Sequence, residues 1–122
     1  MEKKRVENFQ DLVVWQNSHE LVQTIVNKTK KFPKKDLNIL GRQLCQNSAL
    51  LPIHIARGFK KRNTKNKSYF YREALFAIET IRYEIILTSD LGIYQNAGQD
   101  LEKCDQIERM MKRLIRSVTS KS

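Results

Sequence analysis

Residues 11–33 read DLVVWQNSHELVQTIVNKTKKFP. Within them Leu12, Trp15, His19, Val22, Val26 and Thr29 recur at alternating spacings of three and four. That repeat belongs to a helix that keeps one side against partner helices. Val14, Leu21 and Ile25 widen the stripe. Asp11 suits the start, as a cap or as a negative charge at the positive end of the helix dipole. Pro33 stops the helix, because the residue before a proline avoids the helical region. The spacing predicts a first helix over residues 11–32.

The same pattern recurs three times downstream. Asp36 reads as the N-cap of a second helix over 37–57, whose inward stripe is Leu37, Leu40, Leu44, Ser48, Leu51 and Ile55. Pro52 falls inside this stripe and predicts a kink rather than an end, with Gly58 as the stop. A third helix over 68–90 turns Phe70, Ala74, Ala77, Ile78, Ile81, Ile85 and Thr88 inward and closes at Gly92. A fourth over 99–118 does so with Leu101, Cys104, Ile107, Met111, Leu114 and Val118. Four helices of matched length, each about 30 Å long and joined by short connections, predict an all-α, antiparallel up-down-up-down four-helix bundle. The 122 residues suit one domain spanning 1–122.

Composition agrees with that class. Hydrophobic residues make up 40% and charged residues 30%, the balance of a globular chain. Four glycines and two prolines are too few for the turns of an all-β fold. No apolar run reaches the roughly 18 residues of a membrane span. Met1-Glu2-Lys3-Lys4-Arg5 leads into no signal-peptide apolar region. The expectation is a cytoplasmic protein with no membrane attachment, in which Cys45 and Cys104 stay as buried free thiols.

The net charge of +10 calls for an anionic partner. No Asp or Glu occurs between Asp36 and Glu73, an interval holding Arg42, Arg57, Lys60, Lys61, Arg62, Lys65, Lys67 and Arg72. Six of these eight crowd into the second inter-helix connection, read as residues 58–67 with Arg57 at its edge. In an up-down bundle that connection shares an end with both termini, so Lys3, Lys4 and Arg5 lie near it. On the fourth helix Arg109, Lys112, Arg113 and Arg116 form one stripe at i, i+3, i+4 and i+7. The expected phosphate-binding set is therefore Arg57, Lys60, Lys61, Arg62, Lys65, Lys67, Arg72, Arg109, Lys112, Arg113 and Arg116. Asn63, Thr64, Asn66 and Ser68 add donors, and Tyr69 and Tyr71 are placed to pack at the rim or in the core, or to stack on bases. The Lys28–Lys35 run reads as a solvated face.

Several motifs carry a family resemblance. Phe9-x-Asp11-Leu12-x-Val14-Trp15-Gln16 resembles the opening of the intervening-sequence proteins, four-helix bundles first met inside insertions in bacterial large-subunit ribosomal RNA genes. Phe32-Pro33, Gln43-Leu44, Pro52-x-x-Ile55-Ala56-x-Gly58, Phe70 and Leu91-Gly92 are similar and fall in the same order. The resemblance implies a homopentamer with a central channel and no enzyme activity. The fold is also similar to the accessory protein of diversity-generating retroelements, where a basic pentamer binds nucleic acid beside a reverse transcriptase. The chain departs from the ribosomal-insertion pattern at Cys45-Gln46, Arg57, Thr80 and Arg82, losing paired arginines and acids. An interior ion-pair set is expected to be missing or rewired, which tilts the reading toward the retroelement-accessory type.

The chemistry-bearing residues do not assemble into a reactive set. His19 lies on the apolar seam and His54 beside Pro52, and with the two cysteines they show no close metal-ligand spacing. Paired Glu-x-x-His motifs, Gly-rich phosphate loops and nucleophile–base pairs are absent from the sequence. No catalytic residue, metal or cofactor is expected. Trp15 reads as a core or interface anchor. The leading expectation is a non-enzymatic accessory protein that binds RNA or DNA through a basic end. The alternative is an oligomeric scaffold that contacts an acidic protein.

Overall fold

A computed structural model describes residues 5–120. Among them are four helices and no strand. Helix α1 spans Val13–Thr29. Helix α2 is one rod of three successive segments: Lys34–Asp36, a π-helical stretch Leu37–Gly41, and Arg42–Lys60. Helix α3 spans Thr64–Asp90 and α4 spans Ala97–Thr119. Each helix packs on its neighbour in sequence, and α1 packs on α4.

The start of α1 is set by residues upstream of Asp11. The Asn8 side chain accepts from the Gln10 amide at 2.8 Å, and Asp11 Oδ2 accepts from the Asn8 and Glu7 amides at 3.2 and 2.9 Å. This reciprocal box holds a 3-10 turn over Phe9–Asp11. Asp11 thus caps that turn, and α1 begins two residues later than expected. It also ends three residues early, at Thr29, where the Phe32 amide bonds back to the Thr29 carbonyl at 3.0 Å.

The second connection differs most. Residues 58–67 are not a loop: α2 continues through Gly58 to Lys60 and α3 begins at Thr64. Only Lys61, Arg62 and Asn63 connect them, with the Asn63 side chain capping α3 through the Asn66 amide at 2.8 Å. Gly58 is not a helix stop but a packing site. A Cβ there would lie 2.5 Å from Cε1 of Tyr71, which is only 2% exposed. Asp36 is likewise inside the helix rather than its cap, since the rod starts at Lys34, directly after Pro33. The stop at Gly92 is present: at φ +78 it closes α3 with Ile93 bonding to Thr88 and Gly92 to Ser89, the two bonds of a Schellman end.

The core is built from one stripe per helix. It contains Leu21 and Ile25 of α1, Leu44, Leu51 and Ile55 of α2, Ile78, Ile81 and Ile85 of α3, and Cys104, Ile107 and Met111 of α4. Phe32 and Tyr94 meet at 6.3 Å between ring centroids, both buried. On α1 the buried face runs Val14, Ser18, Leu21, Ile25, Thr29, one step round from the expected seam. Trp15, Val22 and Val26 are half-buried and His19 is exposed. Trp15 stacks on His19 at 4.9 Å and meets Phe9 edge-on at 5.2 Å, beside α2. On α3 it is Tyr71, not Phe70, that is fully inside. The buried hydroxyls of Ser18, Ser48 and Thr88 bond to carbonyls of their own helices, so these three polar residues sit in the core without orphaned donors.

Alanine is a far better helix former than glycine, yet Gly58→Ala is expected to destabilise the fold by about 1–3 kcal/mol because the buried Tyr71 ring must move. Gly98→Ala, where nothing lies within 4 Å of the added carbon, is expected to be neutral or stabilising. Urea unfolding of both variants checks the pair.

Candidate nucleic-acid interface

The short turn concentrates charge. Arg57 and Lys60 stand on the last turn of α2, Lys61 and Arg62 on the connection, and Lys65 and Arg72 on the first turns of α3, all exposed. Lys60 lies 6.0 Å from the Phe9 ring, which brings the N-terminal turn to this end of α2, and Lys61 lies 5.3 Å from Phe70. Arg5 is exposed; Lys3 and Lys4 fall outside the described residues. Arg109, Arg113 and Arg116 are exposed along α4, and the last two line a shallow hollow with Ser117 and Ser120.

Two members of the expected set are engaged within the fold. Lys67 donates to the Phe59 carbonyl at 2.8 Å and the Gly58 carbonyl at 3.3 Å. It caps the negative end of α2, and burial lowers its pKa. Lys112 pairs with Glu108 at 3.1 Å. Among the accessory groups, Asn63 is spent on capping and the Ser68 hydroxyl is buried without a partner. Tyr69 is 58% exposed while Tyr71 is buried, with its phenol pushed up to about 12 by desolvation. Of the two tyrosines only Tyr69 presents a ring to solvent.

Five of the described acids pair elsewhere, while Glu73 lines the same hollow as Lys65, Tyr69 and Arg72. Arg82 binds Glu79, Asp105 at 3.0 Å and Glu108 at 2.9 Å, joining α3 to α4. Burial opposes this guanidinium's charge, but the hydrogen bonds it donates to Glu108, Glu79 and Asp105 outweigh that and raise its pKa. Arg82 thus gathers three acids where α3 meets α4, with Glu79 and Asp105 themselves exposed. Lys103 pairs with Glu20 at 3.5 Å and donates to Asn17 at 2.5 Å. Lys28 is no solvated charge. It bonds Asp100 at 2.5 Å and the Gln95 carbonyl at 2.9 Å, while the buried Tyr94 hydroxyl donates to the same Asp100 oxygen at 2.6 Å.

The histidines and cysteines stay apart. Cys104 is buried, which pushes its thiol up to about 12, and half-buried Cys45 lies 3.2 Å from the Thr29 hydroxyl. Burial and then Arg57 lower the pKa of His54, whose Nδ1 has no partner. Among the described residues no three His, Cys, Asp or Glu side chains are grouped to hold a metal ion, and no helix is long and apolar enough to cross a membrane.

One buried acid escaped the sequence reading. Glu84 is 9% exposed and its Oε1 accepts from the Asn47 amide of α2. The signal was available, because position 84 follows Ile81 by three and precedes Thr88 by four on the inward stripe. Burial raises the Glu84 pKa, partly offset by Asn47. The native state thus holds this proton more tightly than the unfolded chain. Its contribution to stability is full below the unfolded value and lost as pH rises through the raised one. Glu84→Gln is expected to raise the Tm at neutral pH, with the gain vanishing below about pH 4. Thermal melts across pH test this.

No curated protein matches the chain. The family model described as 23S rRNA-intervening sequence protein matches residues 10–113, a span from the 3-10 turn to the last turns of α4. The chain belongs to the 23S rRNA-intervening sequence protein family.

Proposed function

We propose that the chain is a non-enzymatic accessory protein that binds RNA or DNA through the end where α2 meets α3, with Arg109, Arg113 and Arg116 of α4 extending the surface. The observation that carries this is an imbalance. Arg57, Lys60, Lys61, Arg62, Lys65, Arg72, Arg109, Arg113 and Arg116 form no ion pair with the described residues. Glu20, Glu79, Asp100, Asp105 and Glu108 are all paired away from that end. Nothing here reads base edges, so affinity comes from phosphate charge. Tyr69 adds a stacking face beside Lys65 and Arg72.

The proposal includes an up-down-up-down course. Gly58 against Tyr71 and Asn47 against Glu84 support opposite senses for α2 and α3, since one number falls as the other rises. Arg82 beside Asp105 and Glu108 sets the later half of α3 against the first half of α4, as an antiparallel pair joined by residues 91–96 requires. It also includes a homopentamer, as the family resemblance implies. Tyr69, Phe76 and Tyr83 are 58–65% exposed at seven-residue intervals on α3, and Ile39 is 69% exposed on α2. An apolar stripe of this kind favours self-association. A reverse transcriptase is the proposed protein partner and the cytoplasm the proposed location.

Light scattering is expected to give five times the chain mass of 14.4 kDa; a monomer at all salt concentrations overturns the assembly. For binding, the slope of log affinity against log salt should be about −0.9 per phosphate contacted on duplex DNA or about −0.7 on a single strand. Replacing Lys60, Lys61 and Arg62 together by alanine should weaken all sequences alike, each lost contact reducing the slope magnitude by about one. Lys34→Ala with Lys35→Ala is the control at the other end of α2. If the wild type binds no nucleic acid at low salt, the surface instead docks an acidic protein and the chain is a scaffold.

A further inference from the structure

About 18 Å along α3 from Arg72, the groove between α2 and α3 opens into a cavity of about 490 Å3. Leu40 and Leu87 give it apolar walls, Gln43 and Asn47 line it from α2, and Tyr83 and Glu84 line it from α3. In a chain of net charge +10, no lysine or arginine lines this cavity, whereas Glu79 and Glu84 do. Glu79 is already neutralised by Arg82. Glu84 is not neutralised. It is nine-tenths buried, its one hydrogen bond comes from a neutral amide at Oε1, and its Oε2 takes none from the described residues.

We propose that this cavity is a receptor for a guanidinium or primary ammonium group on an aliphatic stem, with Glu84 as the counter-ion. A carboxylate largely withdrawn from water is stabilised when a charged donor reaches it, and here the cavity gives access to Oε2 while no cation of the described residues fills it. The side-chain oxygen of Gln43 offers a second acceptor on the cavity wall. Leu40, Leu87 and the exposed Tyr83 ring suit an alkyl stem and the face of a cation. A lone unpaired carboxylate is too few ligands for a metal ion, and two carboxylates repel an anion. The cation comes either from a free alkylamine or from a lysine or arginine of a second copy. This proposal does not depend on nucleic-acid binding.

Agmatine is the probe. The full-length protein, labelled at the glutamate side-chain carbons, is titrated with it, and the Glu84 carboxyl signal is followed across pH. Saturable binding should move that signal and lower its titration midpoint, because a bound cation stabilises the carboxylate. Glu84→Gln, which keeps an acceptor for Asn47, should weaken agmatine at least tenfold while retaining helix content. If the natural occupant is a basic side chain of a second copy, agmatine and Glu84→Gln should each also reduce the particle mass in light scattering. Unchanged mass alongside Glu84-dependent binding assigns the site to a free amine. Two results overturn the proposal. One is agmatine binding equally to Glu84→Gln. The other is a Glu84 midpoint unmoved at tens of millimolar agmatine together with a particle mass indifferent to the substitution.

Discussion

The Tyr71 ring against the bare backbone of Gly58 is the contact on which the rest of the molecule turns. It lets α2 and α3 approach where any side chain on Gly58 would collide with the ring. Close approach at the ends of two helices permits a connection of only three residues, Lys61–Asn63. Lys67 secures that junction by donating to the last carbonyls of α2. A long basic loop would hold its charges in a mobile, averaged cloud. The short turn instead fixes Lys60, Lys61 and Arg62 relative to Lys65 and Arg72 on a rigid helix start.

Charge is sorted along the bundle by pairing. The acids of α3 and α4 gather on Arg82, and Asp100 is claimed by Lys28 and Tyr94. These contacts tie α3 to α4 and α1 to α4; Glu79 and Asp105 are exposed and screened by salt, whereas the Lys28–Asp100 and Arg82–Glu108 pairs are partly buried and screened less. The cations at the α2–α3 end have no such partners among the described residues and stay free for an external anion. Structural ion pairs and the proposed binding surface are thus two results of one distribution, with five acids spent on the framework and the excess base left outside.

Glu84 breaks this pattern. Its burial, partly offset by the hydrogen bond from Asn47, disfavours the charged carboxylate at neutral pH. A destabilising buried charge beside an open cavity is the kind of exception that binding sites impose on otherwise consistent folds.

The sequence by itself determined the four helices, the inward stripes of α2 and α4, the stop at Gly92 and the excess of base around residues 57–72. These follow from local periodicity and from residue types whose preferences act over a few positions. The family was legible in the opening motif, which tertiary structure leaves on the first turn and α1. Only the tertiary structure decided the rest. Which of two adjacent apolar faces of α1 is buried depends on what packs against it, so Trp15 ended half-exposed and Ser18 inside. Gly58 reads as a helix stop until the Tyr71 ring across the groove shows that it is a packing site. Lys67 and Lys112 look like their basic neighbours until the carbonyls of α2 and the carboxylate of Glu108 claim them. A side chain's partners are set by elements distant in sequence, and periodicity cannot see across that distance.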